Sequence, residues 1–267
     1  MTQYHALTIA GSDSGGGAGI QADLKTFSAL GAYGMSVITA LTAQNTQGVN
    51  GVFPVSPLFV QAQADAVFSD IRVDAVKIGM LADVDVIEMV AHVLKQYTPS
   101  FVVLDPVMVA KGGASLLQET AVEALIESLL PYVNLITPNL PEAAKILGCE
   151  EAKNFEEMEK QALALHQMGV ENVLIKGGHL ASEEASDCLV EQNGQITWFS
   201  NPRVQTKHTH GTGCTLSAAI CALYPQEQDL KSTIQKAKEY LYQAILAGKD
   251  MQIGQGIGPL HHFHAIW

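Results

Sequence analysis

The sequence predicts an α/β fold in which helices cover both faces of a mainly parallel β-sheet. Short apolar segments rich in β-branched residues alternate with longer segments of helical periodicity along most of the 267 residues. Strands of parallel sheets are buried on both faces, and the run Phe101-Val102-Val103-Leu104 accordingly carries no polar residue. In the C-terminal third, two β-type segments flank Asn193-Gly194, a dipeptide typical of an antiparallel hairpin.

The elements follow from these apolar runs and from helix start signals, such as a proline in a first turn. Predicted strands cover residues 6–10, 35–41, 75–78, 101–104, 133–137 and 172–176, and the hairpin joins 188–191 to 195–199. Predicted helices cover about 19–30, 57–69, 84–96, 120–130, a segment from about 140, 155–168, 215–223 and 230–247. No linker-like segment, charge block or repeat divides the chain, so we expect one domain spanning residues 1–267.

Composition excludes several classes of partner. The formal net charge of −12 opposes nucleic acid phosphates and anionic lipid, and no apolar run reaches the ~18 residues of a membrane helix. The four cysteines form neither a C-x-x-C pair nor a zinc pattern, and no signal-peptide pattern opens the chain. We therefore expect a cytoplasmic protein with reduced thiols that binds neither nucleic acid nor membrane.

Glycine and polar residues cluster where the predicted parallel strands end. These positions are Gly11 to Gly19, Gly79-Met80, Asp105-Pro106, Thr137-Pro138-Asn139 and Lys176-Gly177-Gly178. In open parallel sheets, ligands bind beyond the carboxyl ends of the strands. The pattern therefore predicts a small-molecule site at this edge.

The segment His208-Thr209-His210-Gly211-Thr212-Gly213-Cys214-Thr215 runs into a predicted helix. Unpaired backbone N–H groups and the helix dipole favour an anion at such a start, which suits a phosphoryl group in transfer. The same helix start is expected to lower the pKa of the Cys214 thiol, which makes it a candidate base toward a substrate hydroxyl. A helix start with a glycine turn and a packed thiol is the alternative interpretation.

The glycine-rich segment from Ala10 to Asp23 has neither the G-x-G-x-x-G spacing of a dinucleotide loop nor a Walker lysine. Gly11 lets the backbone approach a flat ligand, whereas Asp23 taken alone is expected to be a solvated helix residue. A lysine at the end of a buried strand, as at Lys176, predicts a charged opening and a phosphate contact.

Asn139-Leu140-Pro141-Glu142 is typical of a helix start, with Asn139 as the cap and Pro141 in the first turn. Glu142 then lies near Asp105, and two carboxylates beside nucleotide phosphates suit Mg²⁺. A first-turn carboxylate without a ligand is the alternative. The tail His261-His262-Phe263-His264 has no acidic or thiol partner nearby in sequence, so we do not expect it to bind metal.

Together these segments resemble the ribokinase-like superfamily and, within it, the hydroxymethylpyrimidine kinases. The resemblance covers nearly the whole chain. It rests on the segments at residues 10–23, 42–46, 77–81, 105–108, 137–143, 211–215 and 258–264.

The resemblance implies a kinase that uses ATP and Mg²⁺ to phosphorylate 4-amino-5-hydroxymethyl-2-methylpyrimidine and then its monophosphate, in thiamine biosynthesis. It also implies a homodimer, the usual state of such kinases. By resemblance, Gln44 reads the pyrimidine edge, and the residues around the ring are Gly11, Asp23, Met80 and Val107. Cys214 stands where most of the superfamily has an aspartate base, in a loop with Gly211 and Gly213. The residues near ATP are Asn139, Lys176 and Thr212, and those near the metal are Asp105 and Glu142.

Three alternatives stay open at the level of sequence. A pyridoxal kinase of the same subgroup also binds a flat heteroaromatic ring, although Gln44 fits an aminopyrimidine better. A ligand sensor without catalysis is expected to lack residues that are present here, such as Gly213 and Glu142. A cysteine hydrolase built on Cys214 needs a histidine base, for which His208 and His210 are the nearest in sequence.

Overall fold

The computed structural model describes residues 3–108 and 119–267, and its centre is an eight-stranded β-sheet. The strands of this sheet are β1 (Tyr4–Ala10), β2 (Ala32–Ile38), β5 (Ala75–Ile78), β6 (Val102–Leu104), β7 (Leu135–Ile136), β8 (Asn172–Lys176), β9 (Glu184–Val190) and β10 (Ile196–Pro202). A separate antiparallel hairpin, here called the flap, consists of β3 (Ala40–Asn45) and β4 (Gly48–Pro54).

The order of the strands across the sheet is β2-β1-β5-β6-β7-β8-β9-β10. All neighbours from β2 to β8 are parallel, whereas β9 is antiparallel to both β8 and β10. The mainly parallel sheet and the C-terminal hairpin are therefore confirmed. The chain leaves β1 toward β2 and returns on its other side as β5, so the carboxyl ends of β1 and β5 form a topological switch point, where ligands of such sheets bind.

Helices cover both faces of the sheet. Their bounds are α1 (Gly19–Ala29), α2 (Pro57–Phe68), α3 (Val84–Tyr97), α4 (Glu119–Ala124), α5 (Leu140–Leu147), α6 (Phe155–Gln167), α7 (Thr212–Glu227) and α8 (Leu230–Gly248). Side chains alternate along β1, so Leu7 and Ile9 belong to one buried apolar cluster and Ala6 to the other. The first cluster includes residues of α2, α3, α5 and α6, and the second includes residues of α1, α7 and α8.

Two predicted elements differ from the structure by more than the position of their ends. The predicted strand 35–41 divides at Thr39: β2 ends at Ile38, and the following residues enter the flap, which the sequence did not predict. The predicted helix 120–130 is α-helical only as far as Ala124, after which one π-helical turn covers Leu125–Leu129.

Within residues 3–108 and 119–267, no helix combines the length and the apolarity needed to cross a lipid bilayer.

Candidate active site

A cavity of about 740 Å³ opens at the carboxyl ends of the parallel strands. Every residue that the sequence predicted for the site lines it except Asp23, and these residues are Gly11, Gln44, Met80, Val107, Asp105, Asn139, Glu142, Lys176, Gly211, Thr212, Gly213 and Cys214. Gln44 reaches the cavity from the flap. Asp105 directly follows strand β6, and Lys176 is the last residue of strand β8. The fold thus brings together residues that are far apart in sequence.

The glycine-rich loop of residues 11–19 is organised around the buried carboxylate of Asp13. Asp13 Oδ1 accepts from the Gly15 N–H at 2.8 Å, and Oδ2 accepts from the N–H groups of Gly17 and Ala18 at 3.0 and 2.8 Å. Burial alone raises its pKa, but His210 and these N–H groups outweigh burial and lower it. Because Asp13 occupies these donors, they are not available to a phosphate.

The loop of residues 208–214, here called the phosphate loop, packs against the glycine-rich loop backbone to backbone. Gly211 has φ +83°, and a Cβ there would overlap the carbonyl oxygen of Gly17. Both the left-handed conformation and the close approach require glycine. Helix α7 begins at Thr212, three residues earlier than predicted, so the N–H groups of Gly213 and Cys214 lie in its first turn, where helical N–H groups have no partner within the helix.

Cys214 lies at the cavity between two helix N-termini. The backbone N–H of Gly19, the first residue of α1, lies near enough to its sulfur to lower the pKa of the thiol. Burial raises the pKa of the Cys214 thiol to about 11, and Lys77 only partly opposes this effect. The predicted lowering of the pKa was therefore wrong, because loss of solvent outweighs the helix terminus.

The histidines that a cysteine hydrolase needs are engaged elsewhere. His210 Nε2 lies 2.8 Å from Asp13 Oδ2, and His208 Nδ1 accepts from the Gly258 N–H at 3.0 Å. The thiol of Cys214 instead contacts the N-terminus of α1. This arrangement does not support the hydrolase alternative.

A buried ion pair lies beside the start of α7. Lys176 Nζ donates to Asp105 Oδ1 at 2.6 Å, and a Cβ added to Gly213 would be 3.2 Å from both Lys176 Nζ and Asp105 Oδ2. Although burial opposes its charge, Asp105 and Glu142 raise the pKa of Lys176. A permanent cation and a carboxylate therefore lie next to the backbone N–H groups of the phosphate loop.

Asn139 and Glu142 form a capping box at the start of α5, as the sequence predicted for the cap. Asn139 Oδ1 accepts from the Glu142 N–H at 2.9 Å, and Glu142 Oε2 accepts from the Asn139 N–H at 2.8 Å. Burial raises the pKa of Glu142 to about 7, and the charge of Asp105 adds to this effect. The carboxyl of Glu142 thus gains or loses its charge near neutral pH.

Asp23 was expected at the pyrimidine ring by resemblance and in solvent by pattern, and neither expectation holds. Its carboxylate has no exposed surface, receives two hydrogen bonds from Lys77 Nζ at 2.8 and 3.0 Å, and accepts a third from Thr8 at 2.6 Å. Lys77, in contrast, lines the cavity, although sequence reasoning assigned it no role. Asp23 therefore anchors the cation beneath the cavity rather than contacting a ligand.

Other cavity residues were missed because no local pattern marks them. At the end of the cavity near β9 and β10, Lys238 donates to Asp187 at 2.6 Å, and Asn201 and Tyr242 line the wall. Helix α8, which carries Lys238 and Tyr242, was predicted, whereas Asp187 and Asn201 lie outside the predicted hairpin strands 188–191 and 195–199. Register across an antiparallel pair decides which strand side chains reach the cavity. The histidines of the tail do not form a metal-binding group with other residues in the part of the chain that the structure describes.

A ribokinase-like sheet with a glycine-rich helix start, a paired lysine and two carboxylates at one cavity defines a small-molecule kinase. The family model described as phosphomethylpyrimidine kinase matches residues 13–261, and the chain belongs to that family.

Known relatives agree with this family. The hydroxymethylpyrimidine/phosphomethylpyrimidine kinase of Escherichia coli (strain K12) is 55% identical over 267 residues, which is 100% of both chains. A phosphomethylpyrimidine kinase from Clostridium difficile 630 superposes with a TM-score of 0.80 at 44% identity, covering 91% of this chain and 100% of that one. The ADP complex of Bacillus subtilis pyridoxal kinase gives a TM-score of 0.90 at 39% identity and covers 99% of each chain.

Proposed function

We propose that this chain transfers the γ-phosphate of ATP to the hydroxyl of 4-amino-5-hydroxymethyl-2-methylpyrimidine and then to the resulting monophosphate. Family membership supports the proposal. The structural observation that carries it is one cavity lined by Gln44, by Cys214 and by the Lys176–Asp105 pair. A flat ring at Gln44 then presents its hydroxymethyl group toward the phosphate loop.

The chain's own groups supply positioning, charge stabilisation and proton transfer. The N–H groups of Gly213 and Cys214 are oriented to bind the oxygens of the transferring phosphoryl group, and Gly211 gives the loop its shape. In the first transfer the hydroxyl oxygen forms a bond to the γ-phosphorus, the bond from phosphorus to the ADP oxygen breaks, and the hydroxyl proton passes to the ionised sulfur of Cys214. In the second transfer an oxygen of the monophosphate forms the new bond. Gly11, Met80 and Val107 surround the ring.

The nucleotide phosphates are assigned to the part of the cavity beside Lys176 and Asp105. Lys176 and the backbone at Thr212 face them, and Asn139 fixes the start of α5 beside them. Asp105 and Glu142 are oxygen donors of the kind that Mg²⁺ prefers, and two carboxylates without a larger protein cage suit an ion that also binds phosphates. Mg²⁺ bound there would neutralise part of the charge of the phosphates.

The oligomeric state and the cellular location of the protein remain predictions. A homodimer is supported by apolar side chains exposed on the flap and at the start of α2, where Phe53, Leu58 and Phe59 are 70%, 75% and 60% exposed. Light scattering after gel filtration tests it, and Phe53→Ser is expected to weaken the association. We also propose that residues 1–267 act as one domain, and the free thiols of all four cysteines agree with a reducing cytoplasm.

The decisive experiment measures ATP consumption with three substrates side by side: the pyrimidine alcohol, its monophosphate and pyridoxal. We expect turnover with the first two and a much lower kcat/KM with pyridoxal. Pyridoxal kinase activity is the second candidate function because of the Bacillus subtilis structure. A higher kcat/KM for pyridoxal than for the pyrimidine alcohol contradicts the proposal.

A further inference from the structure

His210 joins three separate parts of the site. Its Nε2 lies 2.8 Å from Asp13 Oδ2 in the glycine-rich loop and 3.3 Å from the carboxamide nitrogen of Gln44 in the flap. His210 itself belongs to the phosphate loop, and its backbone N–H donates to Gly258 O at 3.1 Å. One imidazole nitrogen therefore contacts both the buried carboxylate and the side chain assigned to the pyrimidine edge.

The position of the imidazole ring is fixed. A Cβ added to Gly17 would overlap His210 Cδ2, so the ring packs directly on this glycine. The flap is also fixed at this point, because Ser14 Oγ donates to Gln44 O and accepts from Gln44 N, both at 2.8 Å. Neither the imidazole nor the backbone of Gln44 can shift without breaking these contacts.

The charge of Asp13 determines that Nε2 of the His210 imidazole carries a hydrogen. Asp13 is an acceptor because its lowered pKa keeps it ionised, so Nε2 of His210 carries the hydrogen and donates it. This holds whether the imidazole is neutral or protonated. With its hydrogen directed at Asp13, Nε2 has no lone pair that could accept from the Gln44 NH₂ group, whereas an amide oxygen at that place avoids a contact between two donors and can share the hydrogen. Rotation of the amide by 180° exchanges its oxygen and nitrogen at nearly the same position. His210 thus favours the orientation in which Gln44 Oε1 faces it.

This orientation has a consequence for the ligand. Gln44 Oε1 retains a second lone pair, and its NH₂ group is directed away from His210, so the amide presents an acceptor and a donor in a fixed order. A 4-aminopyrimidine offers the complementary pair: an exocyclic N–H and a ring nitrogen lone pair. A 4-oxopyrimidine offers the reverse, a carbonyl oxygen and a ring N–H. A glutamine whose amide rotates freely can form both hydrogen bonds with either ring. A glutamine whose amide is held in this orientation can form both only with the 4-aminopyrimidine.

We propose that His210, held by Asp13, is the residue that makes this site select a 4-aminopyrimidine over its 4-oxo counterpart, by fixing the carboxamide of Gln44. His210 is in this sense a positioning residue and has no role in phosphoryl transfer. The inference rests on the proposed function, since it assumes that Gln44 meets the pyrimidine edge.

The experiment compares kcat/KM for the 4-amino and 4-oxo forms of 5-hydroxymethyl-2-methylpyrimidine. His210→Leu removes the donor, whereas His210→Gln places an amide N–H near the position of Nε2. His208→Leu is the matched control, because His208 lies in the same loop and contacts Gly258 instead of Gln44. Thermal unfolding and the KM for ATP show whether each variant is folded. If His210→Leu does not fold, His210→Phe replaces it, because phenylalanine keeps a ring packed on Gly17.

We expect the wild-type protein to prefer the amino form by at least about 100-fold, because the 4-oxo form leaves buried polar groups unpaired. In His210→Leu this preference falls at least about tenfold through a better KM for the 4-oxo form, whereas any loss of kcat is shared by both forms. His210→Gln and His208→Leu retain most of it. A wild-type preference in His210→Leu, or a loss of kcat with unchanged preference, overturns the inference.

Failure of the proposed function is recognised separately. If the wild-type protein phosphorylates neither pyrimidine, the proposed function is wrong, and calorimetric binding of the two compounds then tests the inference by itself. Equal binding of both forms by the wild-type protein, or the same binding ratio in His210→Leu, overturns it.

Discussion

Replacement of Cys214 by alanine tests whether the thiol is the general base. The structure supplies one essential quantity: burial raises the pKa of this thiol to about 11. At pH 8 the ionised fraction is about 10^(8−11), or about one molecule in a thousand. Only the thiolate accepts a proton, so this small fraction is the reactive form. Its high basicity makes it an effective proton acceptor once the substrate oxygen begins to bond to phosphorus.

General base catalysis is worth about 10²–10⁴-fold, so we expect Cys214→Ala to lower kcat by at least about 10² with an unchanged KM for ATP. The sign of the pH dependence follows from the raised pKa: the reactive thiolate increases as the pH rises, so wild-type kcat increases between pH 7 and 9. Cys214→Ala loses this dependence, and Cys214→Asp retains part of the activity with a flatter profile.

The assay is initial-rate ADP formation across pH 7–9, with Cys221→Ala as the control for a buried cysteine elsewhere on α7. Alkylation adds a second measurement: the pyrimidine is expected to slow modification of Cys214 but not of Cys149, which is exposed. A Cys214→Ala protein within a few-fold of wild type at every pH refutes the base role. Phosphoryl transfer then depends on the amides of the phosphate loop alone.

Three further predictions concern other parts of the cavity. Gln44→Ala is expected to weaken pyrimidine binding by about 1–3 kcal/mol in calorimetry without changing ATP binding, and equal pyrimidine affinity contradicts it. Activity is expected to require Mg²⁺ or Mn²⁺, and full activity in excess chelator excludes the metal site. The metal concentration for half-maximal rate should rise as the pH falls below about 7, because protons compete with the metal for Glu142. This pH dependence should disappear in Glu142→Gln. Lys77→Met is expected to lower the free energy of unfolding in urea by about 3–5 kcal/mol, because it leaves Asp23 buried and unpaired, and adding Asp23→Asn should restore part of that loss; a Lys77→Met protein as stable as wild type shows that the pair is not ionic.

The sheet was predictable because its strands are short apolar runs, and burial on both faces leaves that pattern in the sequence. The flap was not. Its β4 residues are largely exposed, so no apolar alternation marks the strand, and the turn after Asn45 is Thr46-Gln47 rather than a sequence typical of hairpins. The apolar run into Leu41 then extended the predicted β2 across the point where the chain leaves the sheet.

The position of Asp23 carried a signal that was available in the sequence. Ile20, Asp23 and Phe27 recur at the spacing of one helix face, and Ile20 and Phe27 are buried. A carboxylate on that face requires a buried cation, and Lys77 in an otherwise apolar strand is the candidate. The shift of the Cys214 pKa had no such signal, because it depends on how completely the two loops exclude water.

Backbone N–H groups contribute more to anion binding at the start of α7 than the lysines with aspartate partners do. Three lysines at the cavity have such a partner, and the pairs are Lys77–Asp23, Lys176–Asp105 and Lys238–Asp187. Each pair cancels most of its own field, so these cations alone attract an incoming polyphosphate weakly. The N–H groups of Gly213 and Cys214 differ, because no carboxylate within residues 3–108 and 119–267 is hydrogen-bonded to them and the dipole of α7 adds to their field. The carboxylate of Asp13 already accepts hydrogen bonds from the N–H groups of the glycine-rich loop. An incoming anion therefore binds most favourably at the N–H groups of the phosphate loop.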